Sequence, residues 1–389
     1  MSEAVFPGDV AIAGIGATEF SKESGRSELR LAAEAATAAL ADAGLAPADV
    51  DGLVTFTMDS TAEIALAREL GIGELRFFSQ VGYGGGAACA IVQQAAMAIA
   101  TGIAQVVICY RALNERSGRR FGQVSRAAAQ APTSAGVDNS WHYPMGLSTP
   151  AATVAMIARR YMHDYGATSE DFGRVTVADR RHAATNPKAW FYQRPVTLAE
   201  HQASRWIAEP LRLLDCCQES DGAVAVVVTS AERARDLRQR PAVIRAAAQG
   251  SSPGQFTMHS YYRDELGLPE MGVVARQLWQ QSGAGPADIR AAVLYDHFTP
   301  YVLLQLEELG FCPRGQARHF IADGAIEIDG TLPVNPHGGQ LGEAYIHGMN
   351  GIAEAVRQVR GTSVNQVGGD GPVLVTAGTG VPTSGLILG

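Results

Sequence analysis

Two short segments of this chain carry phenols, an imidazole and a carboxylate, one at the end of a strand and one on a glycine turn. Val293–Pro300 reads VLYDHFTP and sets Tyr295, Asp296 and His297 at the end of an apolar run. Asn335–Gly351 reads NPHGGQLGEAYIHGMNG and carries Tyr345. A phenol is protonated near neutral pH, so it serves as a proton donor to a developing enolate. Gly338 and Gly339 permit a tight path with positive φ, and polar side chains on a glycine turn at a helix start are well placed to meet a ligand. The plainer reading is a glycine-rich connector with one buried tyrosine, and a strand end whose Asp296 caps the following helix.

A nucleophile is harder to find. Gly84, Gly85 and Gly86 lead into a helix that contains Cys89, and a strand–glycine–helix junction can host a nucleophile or an anion. Cys89, however, lies among Ala87, Ala88 and Ala90 and reads as a small buried apolar residue. A thiol in the helix interior lacks the lowered pKa of one at a helix start. Val375–Ser384, VTAGTGVPTS, offers backbone donors and no acid, base or nucleophile. Gly14-Ile15-Gly16 opens like a dinucleotide fingerprint but has Glu19 where the third glycine belongs. His142, His163, His182, His201 and His319 show no metal-ligand spacing and read as surface or structural. Arg116, Arg119 and Arg120 form a basic cluster, which is equally a solvated face.

Short apolar strands alternating with helices must position these groups. Strands are expected at Val10–Gly14, Asp51–Thr57, Arg76–Val81, Gln105–Cys109 and Asp221–Ser230. Helices are expected at Leu29–Ala43, Ala87–Ala100, Ala151–Tyr165 and Ser169–Ala184, and from about Tyr345 through Val359. The pattern is α/β. AGLAPAD at 43–49 recurs as SGAGPAD at 282–288, an offset of 239, each preceded by a helix and followed by a strand. Duplication is the expected origin, with halves 1–240 and 241–389 and an irregular excursion at about 112–220 inside the first half. A long excursion in a compact fold is usually a lid or an interface.

With 389 residues, 47% hydrophobic and 18% charged, the composition is that of a globular enzyme. A formal net charge of −8 argues against nucleic acid as the partner. Five cysteines without a CxxC pair support neither a disulfide framework nor structural zinc. The N-terminus lacks the pattern of a signal peptide, and no apolar run approaches a membrane span. A soluble, cytoplasmic protein is the expectation.

In this order, these segments resemble the thiolase superfamily, especially its sterol-carrier-protein thiolase branch. The likeness spans nearly the whole chain and includes MGLSTPAATVAMIARRYMHDYG, NPKAW and SDGAVAVVV in the excursion. It implies two βαβαβαββ halves packed as a five-layered αβαβα sandwich that dimerises. The catalytic positions depart from that family. Its nucleophilic cysteine aligns with Gly85 in VGYGGGAA and its histidine with Tyr345 in GGQLGEAYI. The Asn or His of its NEAF or HDCF motif aligns with Tyr295 in YDHF, and its C-terminal cysteine with Ala377. Condensation or thiolysis needs a thiolate, which glycine at 85 cannot supply.

Chains with this pattern resemble the bacterial steroid side-chain-cleaving aldolases of lipid-transfer-protein type. That likeness implies retro-aldol cleavage of a β-hydroxyacyl-CoA steroid side chain of the 17-hydroxy-3-oxo-pregnene-20-carboxyl-CoA kind, giving a 17-ketosteroid and propionyl-CoA. It also implies a partner subunit with an OB-fold and zinc-ribbon domain and a homodimer within a heterotetramer. No cofactor is expected, since CoA belongs to the substrate, and any zinc belongs to the partner. Tyr295 and Tyr345 are the expected acid–base pair, with His297 supporting them; a phenol acting as base needs a lowered pKa, for which His297 or a helix N-terminus is the candidate cause. Backbone N–H groups near Gly85 or Gly378 are the expected oxyanion donors, and Arg116, Arg119 and Arg120 the candidates for CoA phosphates. The alternatives are a catalytically inactive acyl-CoA- or sterol-binding subunit and a thiolase that uses Cys89.

Overall fold

The computed structural model describes residues 8–57, 61–82, 84–118, 120, 140–254, 258 and 260–389. Nine strands form its large sheet: β1 (Val10–Ala17), β2 (Gly52–Phe56), β3 (Phe77–Val81), β4 (Val106–Asn114), β5 (Asp221–Ser230), β6 (Ala242–Gly250), β7 (Ala291–Val293), β8 (Val373–Ala377) and β9 (Thr383–Leu388). Their order is β3-β2-β4-β5-β1-β6-β9-β8-β7. The two halves meet where β1 pairs antiparallel with β6, through Ala11 opposite Val243 and Ile12 opposite Ala242. Within the halves, β2 runs parallel to β3 and β4, and β7 parallel to β8.

The principal helices are α1 (Glu28–Ala43), α2 (Glu63–Leu70), α3 (Ala88–Ala100), α4 (Pro150–Tyr165), α5 (Ser169–Thr185), α6 (Pro269–Ser282), α7 (Thr299–Glu308) and α8 (Met349–Arg360). Because strand side chains alternate between faces, each half of the sheet feeds two cores. Leu53, Ile108 and Val227 pack against α1 on one outer side. Val54, Val107 and Val226 join Val293, Val373 and Leu386 around α3 and α8. Leu294, Leu374 and Ile387 face α6 and α7 on the other outer side. The layers therefore run αβαβα. As part of the middle layer, α3 is apolar nearly all round, ACAIVQQAAMAIA.

The sequence repeat is one structural unit used twice. α1 ends at Gly44 with φ 78° and α6 at Gly283 with φ 66°. A 3-10 turn follows each, Pro47–Asp49 and Pro286–Asp288, then β2 and β7. Asp49 accepts from the Ala46 N–H at 2.9 Å and Asp288 from the Gly285 N–H at 2.8 Å. No described helix is long and apolar enough to cross a membrane.

Candidate active site

A cavity of about 760 Å³ opens where the two halves and the excursion meet. Tyr295, Tyr345, His297, Gly85 and Gly378 all line it. The excursion supplies one side of the wall through Glu115, Arg116, Arg120, the start of α4 and Cys216–Glu219.

Tyr295 follows β7 and its backbone is held from two sides. Its N–H donates to Thr376 Oγ1 at 3.0 Å, and its carbonyl accepts from Gln305 Nε2 at 2.8 Å. Thr376 in turn donates to Gln305 Oε1 at 2.6 Å, tying β8 to α7. The ring then runs toward the glycine turn before α3. A Cβ at residue 85 would lie 1.8 Å from the Tyr295 hydroxyl oxygen, and one at 348 would lie 3.1 Å from the ring. The phenol therefore fills the space that a side chain at 85 would take. Its oxygen is 3.3 Å from that of Tyr345.

Tyr345 does not stand on a helix, contrary to the expectation from its sequence. α8 begins at Met349, because His347 (φ 50°) and Gly348 (φ 86°) take left-handed conformations that break the run. The tyrosine sits in the preceding turn, with its N–H on Ser220 Oγ at 3.1 Å. His347 was missed in the sequence. It lines the cavity, packs edge-to-face with Tyr345 at 5.0 Å, and accepts from the Arg111 Nε–H at 3.2 Å.

Burial sets the electrostatics. Desolvation pushes both phenols well above their ordinary pKa, and the nearby Tyr295 raises Tyr345 further. His297 stacks on Tyr301 with ring centroids 5.0 Å apart, and its Nδ1 is 3.4 Å from Thr379 Oγ1. Burial pulls its pKa down to about 3. The imidazole is thus neutral, and both phenols are raised, so His297 is not the cause of a lowered phenol pKa that the sequence suggested as one candidate. Asp296 does not cap α7, whose N-cap is Phe298. It turns away to accept the N–H groups of Gln340 and Leu341 at 2.9 and 3.0 Å.

Gly85 lies in a 3-10 segment (Gly84–Ala87) directly before α3. Gly378 (φ 74°) comes so close that its Cβ would lie 2.3 Å from Gly86 Cα. These close approaches bring two backbone segments to one corner of the cavity. Of the basic cluster, Arg116 and Arg120 line the cavity, and Arg119 lies outside the described residues. Arg120 is ion-paired with Glu219. Lys22 and Arg205 add two further cations to the wall. Cys89 is fully buried and burial pushes its thiol pKa up, which corrects the alternative of a thiolase built on that residue. Cys217 lines the cavity with its thiol also pushed up by burial. His182 and His201 are buried, and His201 is bonded to Asp215 at 2.9 Å. Among the described residues no group of three or more His, Cys, Asp or Glu is arranged to hold a metal.

This chain matches the thiolase N-terminal domain over residues 10–232 and the thiolase C-terminal domain-like family over 254–388. It is 74% identical over 383 residues to the 17-hydroxy-3-oxo-4-pregnene-20-carboxyl-CoA lyase of Mycobacterium tuberculosis, covering 98% of this chain and 99% of that one. It is 72% identical over 388 residues to the steroid side-chain-cleaving aldolase of Thermomonospora curvata, covering 99% of each. A solved structure of an Ltp2-ChsH2(DUF35) aldolase superposes with a TM-score of 0.95 at 70% identity, covering 99% of each chain. Human mitochondrial 3-ketoacyl-CoA thiolase shares the fold, with a TM-score of 0.67 at 16% identity over 99% of this chain and 98% of that one.

Proposed function

The chain belongs to the thiolase family, and from that premise we propose that it is a carbon–carbon lyase cleaving the side chain of a 17-hydroxy steroid acyl-CoA. The substrate is of the 17-hydroxy-3-oxo-4-pregnene-20-carboxyl-CoA type, and the products are a 17-ketosteroid and propionyl-CoA. The observation that carries this reading is the phenol pair. Tyr295 fills the space a nucleophile at 85 would need and stands 3.3 Å from Tyr345. Residue 85 offers no side chain on which an acyl-enzyme could form, and burial pushes the Cys217 thiol up and so away from the thiolate, whereas retro-aldol cleavage requires only proton transfers and stabilisation of an enolate.

The raised phenol pKa values favour a relay over a resident base. One phenol takes the proton of the 17-hydroxyl while passing its own to the second phenol. The electrons of the O–H bond form the C17 carbonyl, and the broken C17–C20 bond supplies the electron pair of the thioester enolate. The second phenol protonates C20. Both tyrosines begin and end neutral, as their desolvated setting favours. The scheme assigns the thioester oxygen to backbone N–H groups at Gly85 and Gly378, which both line the cavity, and gives His297 the part of a neutral ring in its wall. Arg116, together with Lys22 and Arg205, is suited to the CoA phosphates. No cofactor beyond the substrate's own CoA enters this scheme.

We further propose that the chain works with a separate subunit of the OB-fold and zinc-ribbon kind and pairs with a second copy of itself in the same assembly. β3 is an edge strand with Phe78 61% exposed, a form that sheet pairing would cover. The test is product analysis with this chain and its partner subunit. Incubation with the 17-hydroxy C22 thioester should yield a ketone and propionyl-CoA in equal amounts. Acetyl transfer to CoA, or binding without turnover, would overturn the reading.

A further inference from the structure

Behind the cavity, Asp179 on α5 meets Asp296, the residue that follows Tyr295. Both carboxyls are 1% exposed, and each lies within hydrogen-bonding reach of the other. No Arg, Lys or His among the described residues forms an ion pair with either, and Asp179 Oδ2 finds no donor there. Two buried like charges in contact cannot both ionise. The Asn335 side-chain amide faces Asp179, but Asp296 is the one that holds backbone donors. Its Oδ1 and Oδ2 each lie 2.9 Å from the Gln340 N–H, and Oδ2 also accepts from Leu341 at 3.0 Å.

The turn is shaped to bring those donors in. Gly339 has φ +61°, and a Cβ there would fall 2.2 Å from Asp296 Oδ2. Gly342 packs on α5, where a Cβ would lie 2.6 Å from that of Ala183. Tyr345 follows this turn directly. One carboxylate thus connects the strand end that carries Tyr295 to the turn that carries Tyr345.

We propose that Asp179 and Asp296 share one proton, Asp179 donating to an ionised Asp296, and that this pair positions the Tyr345 turn against Tyr295. Asp296 is a positioning residue and Asp179 is its neutral donor. The catalytic consequence rests on the aldolase reading, but the clamp itself does not.

The test compares D179N, D179L and D296N, each with its partner subunit. Asparagine at 179 keeps a neutral donor toward Asp296, whereas leucine removes it. Asparagine at 296 cannot accept the two backbone N–H groups as a carboxylate does. Hydrogen exchange of the Gln340 and Leu341 amides should match wild type in D179N and quicken about tenfold or more in D179L and D296N. In turnover, kcat should fall about 10- to 100-fold in D179L and D296N with KM nearly unchanged, while D179N stays near wild type. If D296N does not fold, the two Asp179 variants carry the test. D179N behaving like D179L, or all variants exchanging like wild type, would overturn the proposal. Should wild type fail to cleave the steroid thioester while the exchange pattern holds, the pair stands and the aldolase reading falls.

Discussion

Gly85 and Tyr295 compete for one volume, since a Cβ on residue 85 would lie 1.8 Å from the Tyr295 hydroxyl oxygen and 2.3 Å from the carbon bearing it. Contacts that short are impossible, so the glycine and the phenol require each other. A side chain at 85 and the observed position of the Tyr295 ring are mutually exclusive.

Gly85→Ala should therefore disable the site without unfolding the protein. The ring must swing off Tyr345, and a displacement of about 1 Å in a catalytic group costs about a hundredfold in rate. We expect kcat to drop by about that factor or more at nearly unchanged melting temperature. Gly85→Cys should behave alike and gain no thiolase activity, because the new side chain would collide with the Tyr295 phenol and the neighbouring phenols, pushed well above their ordinary pKa, supply no base to form a thiolate. Wild-type turnover in Gly85→Ala would show that the phenol's position is immaterial.

The pH dependence of cleavage follows from the buried groups. His297 has its pKa pulled down to about 3 and both phenols are pushed well above 10. None of the three changes its protonation state between about pH 5.5 and 9, so kcat should be flat there. A cationic His297 would instead make kcat fall as pH rises through about 6.5, and a phenolate base would make it climb with pH. Either limb in a measured pH–kcat profile would contradict the neutral relay.

Stability should depend on pH through Glu270. This buried residue accepts the Gly380 N–H at 2.9 Å, and burial raises its pKa from 4.5 to about 7. A raised carboxyl pKa means the native state holds the proton more tightly than the unfolded chain. Its contribution is complete below about 4.5 and is lost as pH climbs to about 7, a difference on the order of 3 kcal/mol. Glu270→Gln keeps the acceptor and removes the ionisation. Its melting temperature should exceed that of wild type by a margin that grows between pH 5 and 7 and then levels off. A margin independent of pH would contradict this.

Much of the architecture is legible in the chain because it is local. The helix–Gly–Pro–Ala–Asp–strand unit forms the same 3-10 turn twice, and the alternating apolar strands mark two faces. Tyr295, Tyr345, His297, Gly85 and Gly378 were all suggested by motif position, and they do reach one cavity. What sequence could not supply depends on the closed fold. The helix expected from Tyr345 starts at Met349, since His347 and Gly348 take left-handed conformations where the chain passes close to the Tyr295 ring. Asp296 looked like a local cap, but its donors lie at 340 and 341. The neutrality of His297 follows from burial, which no spacing reveals. Cys217 and Glu115 enter the wall from segments whose chemistry gives no signal of its own, and His347 stands two residues beyond Tyr345 in a segment where the tyrosine alone drew attention.

The central claim is that two phenols carry the reaction without a cysteine. Its most direct measurement is turnover of the 17-hydroxy C22 steroid thioester, with the partner subunit present, by wild type, Tyr295→Phe, Tyr345→Phe and the double variant. Each phenylalanine removes one oxygen and leaves the ring packing in place. We expect each single change to lower kcat by about 100- to 10,000-fold. The double variant should be little worse than either single one, because a relay fails when one link is cut. Ketone and propionyl-CoA production that survives both changes would contradict the account.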